Sequence, residues 1–316
     1  MTTPAFRWLG HLSIAAALLA SAGLAASQAL TIDVPYAAGG PSDALTRRLA
    51  AQMAGPMGSA VVIDNVLGAN GLVGLRRFVQ RDGAMPTVIL MGSPTFLAAA
   101  INEPQLLDSL RPVALVGLSP LVIARRAGSG SFEDAVAKPA RDAGALTMGI
   151  SANGSISHLC AAQLAEALGV PLRAIPYRGM APMVSDMLGG ALEQACVDLT
   201  TASSFVRAGK LKAVAAAGDE VGTVLGNVPT LESLKISGVS RGQWYVVMAR
   251  EAAPAGFVDR VSQALRTALA AEPASAQLRE LGFVPVPAQA ATVDAATAFI
   301  QREYGRMKPF LPIVKQ

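Results

Sequence analysis

The chain has 316 residues, of which 52% are hydrophobic and 15% charged, a balance that excludes a disordered protein and allows a large core. Its formal net charge of +4 is spread without a run of Lys or Arg longer than a pair, which excludes a nucleic-acid footprint. Cys160 and Cys196 are the only cysteines, too few for a disulfide scaffold and without metal-site spacing. They read as buried small hydrophobes, with a single bridge as the alternative.

The first 29 residues read as a leader. Arg7 is the only charged residue before Asp33, Ile14–Ala26 is apolar, and Ser27-Gln28-Ala29 puts small residues where a signal peptidase reads them. The apolar run falls short of the ~20 residues that a membrane span needs. A secretory signal peptide cleaved after about Ala29 is therefore expected, with an N-terminal anchor as the alternative. No later segment reads as transmembrane.

From Leu30 onward, β-branched runs alternate with Ala/Leu-rich helical segments. A strand over Thr31–Tyr36 leads to a helix over Asp43–Met57. Val61–Asn65 leads to a helix over Leu72–Arg81. Strands follow at Thr87–Met91, Val113–Val116 and Leu121–Arg125. Leu146–Ile150 leads to Ser157–Leu168, and Leu172–Ile175 to Ala181–Leu188. Ala195–Asp198, Lys212–Ala216 and Trp244–Ala249 complete the middle. Helices at Ala255–Ala271, Ala274–Leu281 and Val293–Met307 dominate the end, with a strand at Phe283–Val286 among them. Such alternation predicts an α/β fold of parallel sheets covered on both faces, as two doubly wound lobes. An eightfold barrel is the competitor, but no helix separates Val113–Val116 from Leu121–Arg125.

Gly117-Leu-Ser-Pro120 and Ser237–Gly242 read as two passages between lobes. They place residues 30–120 and 243–316 in lobe 1 and residues 121–242 in lobe 2. Two crossings imply a hinge with a cleft between the lobes. The alternative is one rigid domain with a long insertion.

In doubly wound folds, ligands sit beyond the C-terminal ends of strands. Five stretches fall there. The first turns through Tyr36, Ala38, Gly39, Gly40, Ser42 and Asp43 into a helix N-terminus, where backbone N–H groups and the helix dipole favour an anion. Ser93 and Thr95 supply hydroxyls after the third strand. Ser151, Asn153, Gly154, Ser155 and His158 form a second turn rich in capping residues. Tyr177 and Gly179 follow another strand. Asp198 ends its strand as a cap or a ligand contact, and Asp43 has the same ambiguity. Gly68-Ala-Asn-Gly71 reads as helix–sheet packing, because its spacing is not the dinucleotide fingerprint. Tyr36, Tyr177 and Trp244 read equally as walls of the cleft or as core. The pattern predicts a small carboxylate bound between the lobes, with no metal and no cofactor.

An exported hydrolase or transferase using Ser155 and His158 is the alternative. Against it, the two residues lie three apart at a helix start and no Gly-x-Ser-x-Gly elbow occurs.

Val34-Pro-Tyr-Ala-Ala-Gly-Gly-Pro-Ser-Asp43, Gly154-Ser-Ile-Ser-His158, Ile175-Pro-Tyr-Arg-Gly179 and Ala208-Gly-Lys-Leu-Lys-Ala213 together resemble the Bug/TctC-type periplasmic receptors of tripartite tricarboxylate transporters. The likeness extends over the whole mature chain. It implies a hinged, non-catalytic binding protein of the periplasm that captures a small carboxylate. It implies a clamp made by Tyr36–Asp43 and Ser151–His158. The partners it implies are a two-component membrane permease or a sensor protein, with the receptor as a monomer. Tyr36 stands where the family usually has Phe, which adds a hydroxyl at the cleft. Asn70 stands where Gly is usual, and Ala195–Leu199 departs from the usual pattern around its acid, so no particular ligand carries over.

Overall fold

A computed structural model describes residues 28–81 and 85–315, apart from the side chains of 273 and 274. The expected leader lies outside the described residues, except for Gln28 and Ala29.

Ten strands and a covering of helices make up the described residues. The first strands are β1 (Leu30–Val34), β2 (Val61–Asn65), β3 (Thr87–Gly92) and β4 (Leu110–Arg126). Then come β5 (Leu146–Ile150), β6 (Leu172–Pro176), β7 (Gln194–Asp198), β8 (Leu211–Ala216), β9 (Gly242–Arg250) and β10 (Val284–Pro285). The first half of β4 closes a sheet in the order β2-β1-β3-β9-β4, with β10 on its far side. Its second half starts another sheet, flanked by β7 and β8, with β5 and β6 beyond β7. β1, β2 and β3 are parallel, as are β5, β6 and β7.

Two strands differ from the sequence expectation. Val113–Val116 and Leu121–Arg125 are one strand, β4, and Gly117–Pro120 is strand rather than a loop. The register explains how a proline fits. Pro120 is the last residue paired with β9, opposite Gly242, and Leu121 is the first paired with β7, opposite Asp198. A residue without an N–H is tolerated where the hydrogen-bonding partner changes. The second departure is direction. β4 and β9 run antiparallel to their neighbours, so the sheets are mixed where the chain passes between them.

Helix α1 (Pro41–Met57) and the later α9 (Ala255–Ala270) and α10 (Glu272–Glu280) cover one face of the first sheet. Between them in sequence come α2 (Leu72–Gln80), α3 (Ser93–Asn102), α4 (Lys138–Asp142), α5 (Ile156–Leu168), α6 (Met180–Gly189), α7 (Leu199–Arg207) and α8 (Gly222–Leu225). The chain ends with α11 (Val293–Met307) and α12 (Leu311–Val314). Leu30, Ile32, Val34, Leu45 and Leu49 are buried under α9 residues such as Val261 and Leu265. The opposite core is continuous under both sheets, running from Phe78 and Trp244 to Leu159 and Val314. Trp244 is fully buried there, edge-on to Phe96 and Phe299, so of its two sequence readings the core is the right one.

The C-terminal helices do more than cover the first sheet. Gln163 of α5 donates to the Arg306 carbonyl at 3.0 Å and to Ser240 Oγ at 3.1 Å. That ties α5, the second passage and α11 together. Cys160 on α5 and Cys196 on β7 form a disulfide; of the two readings of these residues, the bridge is correct. No helix among the described residues is long and apolar enough to cross a membrane.

Candidate functional site

A cleft of about 490 Å³ opens at the C-terminal ends of β1 and β7. One wall is Pro35, Tyr36, Ala37, Gly40, Pro41 and Ser42. Leu67 to Gly71 and Pro94 extend it, and Asp198, Thr200 and Thr201 face it. Gln243 and Tyr245 lie between. They share one face of β9, while Trp244 points the other way into the core, as the two-residue strand period requires.

The β1–α1 turn is held from below. Asp43 accepts the Gly39 amide at 2.9 Å and Arg47 Nε at 2.8 Å on one carboxylate oxygen, and Asn65 Nδ2 at 3.1 Å on the other. Asn65 also reaches the Tyr36 carbonyl at 3.2 Å. The Arg47 hydrogen bond, aided by the Gly39 amide and Asn65 and opposed by burial, holds the Asp43 pKa below its ordinary value. Asp43 is thus the staple of the turn, with its oxygens turned inward. Gly39 takes φ +78°, which glycine adopts without strain. Gly40 stands at the N-cap with φ −77° and ψ 171°, and no side chain caps α1. Pro41 follows as the first helical residue and has no N–H to satisfy. The free amides of the first turn therefore face the cleft uncapped.

Tyr36 supplies the floor. Its hydroxyl accepts the Gly92 amide at 3.1 Å and pairs with Thr95 Oγ1 at 2.8 Å. Burial pushes its pKa up to about 12. The hydroxyl is therefore turned into the protein, and the ring faces the cleft. A side chain at Gly92 would meet Tyr36 Oη and the Tyr245 ring, and one at Gly71 would collide with Thr95. Gly68, Ala69, Asn70 and Gly71 all have positive φ. For Ala69 and Asn70 this costs on the order of 1 kcal/mol or more each. The segment read as packing does pack closely, and it is also a wall of the cleft.

Ser151 to His158 is built differently. The Ser151 amide donates to Ser157 Oγ at 2.8 Å, and both Ser151 Oγ and Ser155 Oγ lie 2.9 Å from that same oxygen. Ser155 caps α5 by accepting the His158 amide at 3.2 Å. His158 Nδ1 accepts the Gly154 amide at 3.3 Å, which fixes a neutral ring with its proton on Nε2. Burial lowers its pKa. None of these residues lines the cleft, and Asn153 is the exposed one. Tyr177 donates to Asp186 at 2.9 Å, and Gly179 is the N-cap of α6; both lie away from the cleft. Ser93 donates to the Gly242 carbonyl at 3.2 Å below its floor.

Asp198 does line the cleft, as the N-cap of α7. Its carboxylate accepts the Thr201 amide at 2.9 Å, Thr201 Oγ1 at 3.0 Å and the Thr200 hydroxyl. Thr200 and Thr201 were not foreseen, because α7 itself was not; its start, with Asp198 followed by the Thr201 amide, is the signal that could have found them. Among the described residues that line the cleft, none is Lys, Arg or His, and no group of three or more metal-ligating side chains occurs among the described residues. Among them the Ser155 hydroxyl meets the His158 backbone amide and not the imidazole, which accepts the Gly154 amide instead.

Residues 45–315 match the model of the tripartite tricarboxylate transporter family receptor, TctC. The chain belongs to this family. A UPF0065 protein encoded in the TAR-I ttuE-ttuC' intergenic region of Agrobacterium vitis is 31% identical over 288 residues, covering 89% of this chain and 83% of its own. Protein BugT of Bordetella pertussis is 26% identical, with 93% and 94% covered. Among solved structures, the periplasmic binding protein BugD superposes with a TM-score of 0.71 at 27% identity, covering 90% and 96%. MatC of Rhodopseudomonas palustris, solved with malate bound, gives 0.72 at 25% identity, covering 90% and 99%. The receptor is thus a two-lobe α/β solute-binding protein and not an enzyme, and its family is periplasmic.

Proposed function

We propose that the receptor captures a small carboxylate at the uncapped N-terminus of α1. The observation that carries this is a cleft with open helix amides and no lining cation among the described residues, where backbone donors, the helix dipole and neutral side chains such as Asn70 and Gln243 are what can hold an anion. The malate bound by MatC supports a carboxylate as ligand. We further propose the boundaries 30–120 and 243–316 for lobe 1 and 121–242 for lobe 2. The partner switch at Pro120 and Leu121 and the adjacent Gly242 support them. Gly242 has φ +112°, and a side chain there would collide with Leu121. Bending of the paired β4 and β9 at this point would close the lobes and carry exposed Asn153 toward the ligand. Export with cleavage after about Ala29, and delivery to a membrane permease as a monomer, complete the reading.

Calorimetry of the receptor against a panel of small carboxylates tests it, with Gly40→Asp as the decisive variant. The backbone at Gly40 already has N-cap geometry, so the new carboxylate caps α1 from within and occupies the amides meant for the ligand. Losing two charge-assisted hydrogen bonds, about 1.5–3 kcal/mol each, should weaken binding by more than a hundredfold; a Cβ at Gly40 comes 3.2 Å from the Ala37 carbonyl, so thermal melting checks that the variant is folded. Unchanged affinity in Gly40→Asp would place the anion elsewhere.

A further inference from the structure

The two ends of the cleft carry opposite hydrogen-bonding character. At the α1 end, Gly40 leaves amide donors open. At the α7 end, the donors are already committed. The Thr200 and Thr201 hydroxyls both donate to Asp198, the Thr201 amide donates to the same carboxylate, and the Thr200 amide donates to Ser119 Oγ at 3.3 Å. Each threonine hydroxyl has one proton to give, so what these two oxygens still offer is lone pairs. This wall therefore presents acceptors together with the charge of Asp198. No Lys, Arg or His stands among the described lining residues to offset that charge. A second ligand carboxylate brought to this wall would meet lone pairs and a like charge.

We infer, on the basis of the receptor reading above, that the ligand carries one carboxylate at the α1 end and a hydrogen-bond donor, a hydroxyl or ammonium group, at the Asp198 end. Asp198, Thr200 and Thr201 select the donor and reject a dicarboxylate. Like-charge juxtaposition is an efficient way to refuse a close analogue. A buried acceptor such as Asp198 also penalises an end group that cannot pair with it.

The test titrates wild type, Asp198→Asn and Gly40→Asp with short straight-chain carboxylates matched in length. Their far ends bear a methyl, a hydroxyl, an ammonium or a second carboxylate. Asparagine keeps an acceptor for the Thr201 amide and is as good an N-cap as aspartate, and thermal melting checks that the variant is folded. The expected result is that donor-ended acids bind wild type about tenfold or more tighter than the dicarboxylate, and that Asp198→Asn narrows this ratio by about the same factor. A dicarboxylate that binds wild type most tightly, or a ratio that Asp198→Asn leaves unmoved, overturns the inference. If that binding is still abolished by Gly40→Asp, the carboxylate reading itself stands. Failure of every member of the set to bind wild type would overturn both.

Discussion

At the end of β1 the receptor holds its turn with ions, and at the end of β5 it holds its turn with hydroxyls and a nearby disulfide. Asp43 gathers Gly39, Arg47 and Asn65 beneath the first turn and leaves the helix amides above it free. The second turn uses Ser151, Ser155, Ser157 and His158 on one another, and Cys160, two residues further on, is bonded to Cys196. The difference shows that a donor-rich turn becomes an anion site when its staple lies underneath. A turn that caps its own helix consumes the donors it displays.

The two staples should fail under different conditions. The largest effect belongs to the bridge. Replacing Cys160 and Cys196 by alanine should cost roughly 3–4 kcal/mol for a loop of this length, with a sequence separation of 36. Urea unfolding reads that loss, and ligand affinity should change little. Next is Asp43→Ala, which strips the first turn of its acceptor. It should cost about 2–3 kcal/mol and also abolish binding, so that the two turns separate in a plot of affinity against stability. If Asp43→Ala binds as wild type does, the staple is not what shapes the site.

Protonation distinguishes the turns next. Asp43 has a lowered folded pKa, so its contribution is present above the ordinary aspartate value near 4 and is lost as pH falls through the depressed one. His158 has a lowered folded pKa too, and here the unfolded chain takes up the proton first. Its contribution is full above about 6.5 and declines as pH falls toward the lowered value. Stability measured against pH should therefore drop in two windows. His158→Gln should flatten the upper one and Asp43→Asn the lower one. A single window, or flattening in the wrong variant, would break the assignment.

Smaller effects sharpen the contrast. Ser155→Ala removes a helix cap and should cost about 1 kcal/mol, with affinity reduced less than by any change at Gly40. Arg178, exposed and away from the cleft, should give a change within about 0.5 kcal/mol when replaced by alanine.

Much of this was legible in the residues. β2 and β5 and the helix Val293–Met307 match their expected bounds, because alternation and apolar periodicity there are unbroken. The opening turn was readable from Gly39-Gly40-Pro41, whose backbone demands leave few alternatives. Two helices that face the cleft, α3 and α7, were not. Their starts, Ser93-Pro-Thr95 and Leu199-Thr-Thr201, are rich in residues of low helix propensity, and tertiary packing with the Asp198 cap overrides that. Of the far wall, Asp198 is legible in the sequence and Thr200 and Thr201 are not. The inward turn of the Tyr36 hydroxyl was equally hidden, since its partners Gly92 and Thr95 are 56 and 59 residues away.

The place of β9 in the first sheet constrains the order in which the sheets can be completed. β3 emerges early, and the residues that must pair with it come late: 149 positions separate Ser93 from Gly242. A chain that folds as it emerges, N-terminus first, waits through that whole interval for β9. Throughout it, Ile89, Leu90, Met91 and Gly92 form a sheet edge that lacks its neighbour. The second sheet suffers no such delay, because β5 to β8 follow β4 without interruption. A chain folding in that order can complete its second sheet before its first, whose β3 edge stays bare until β9 arrives.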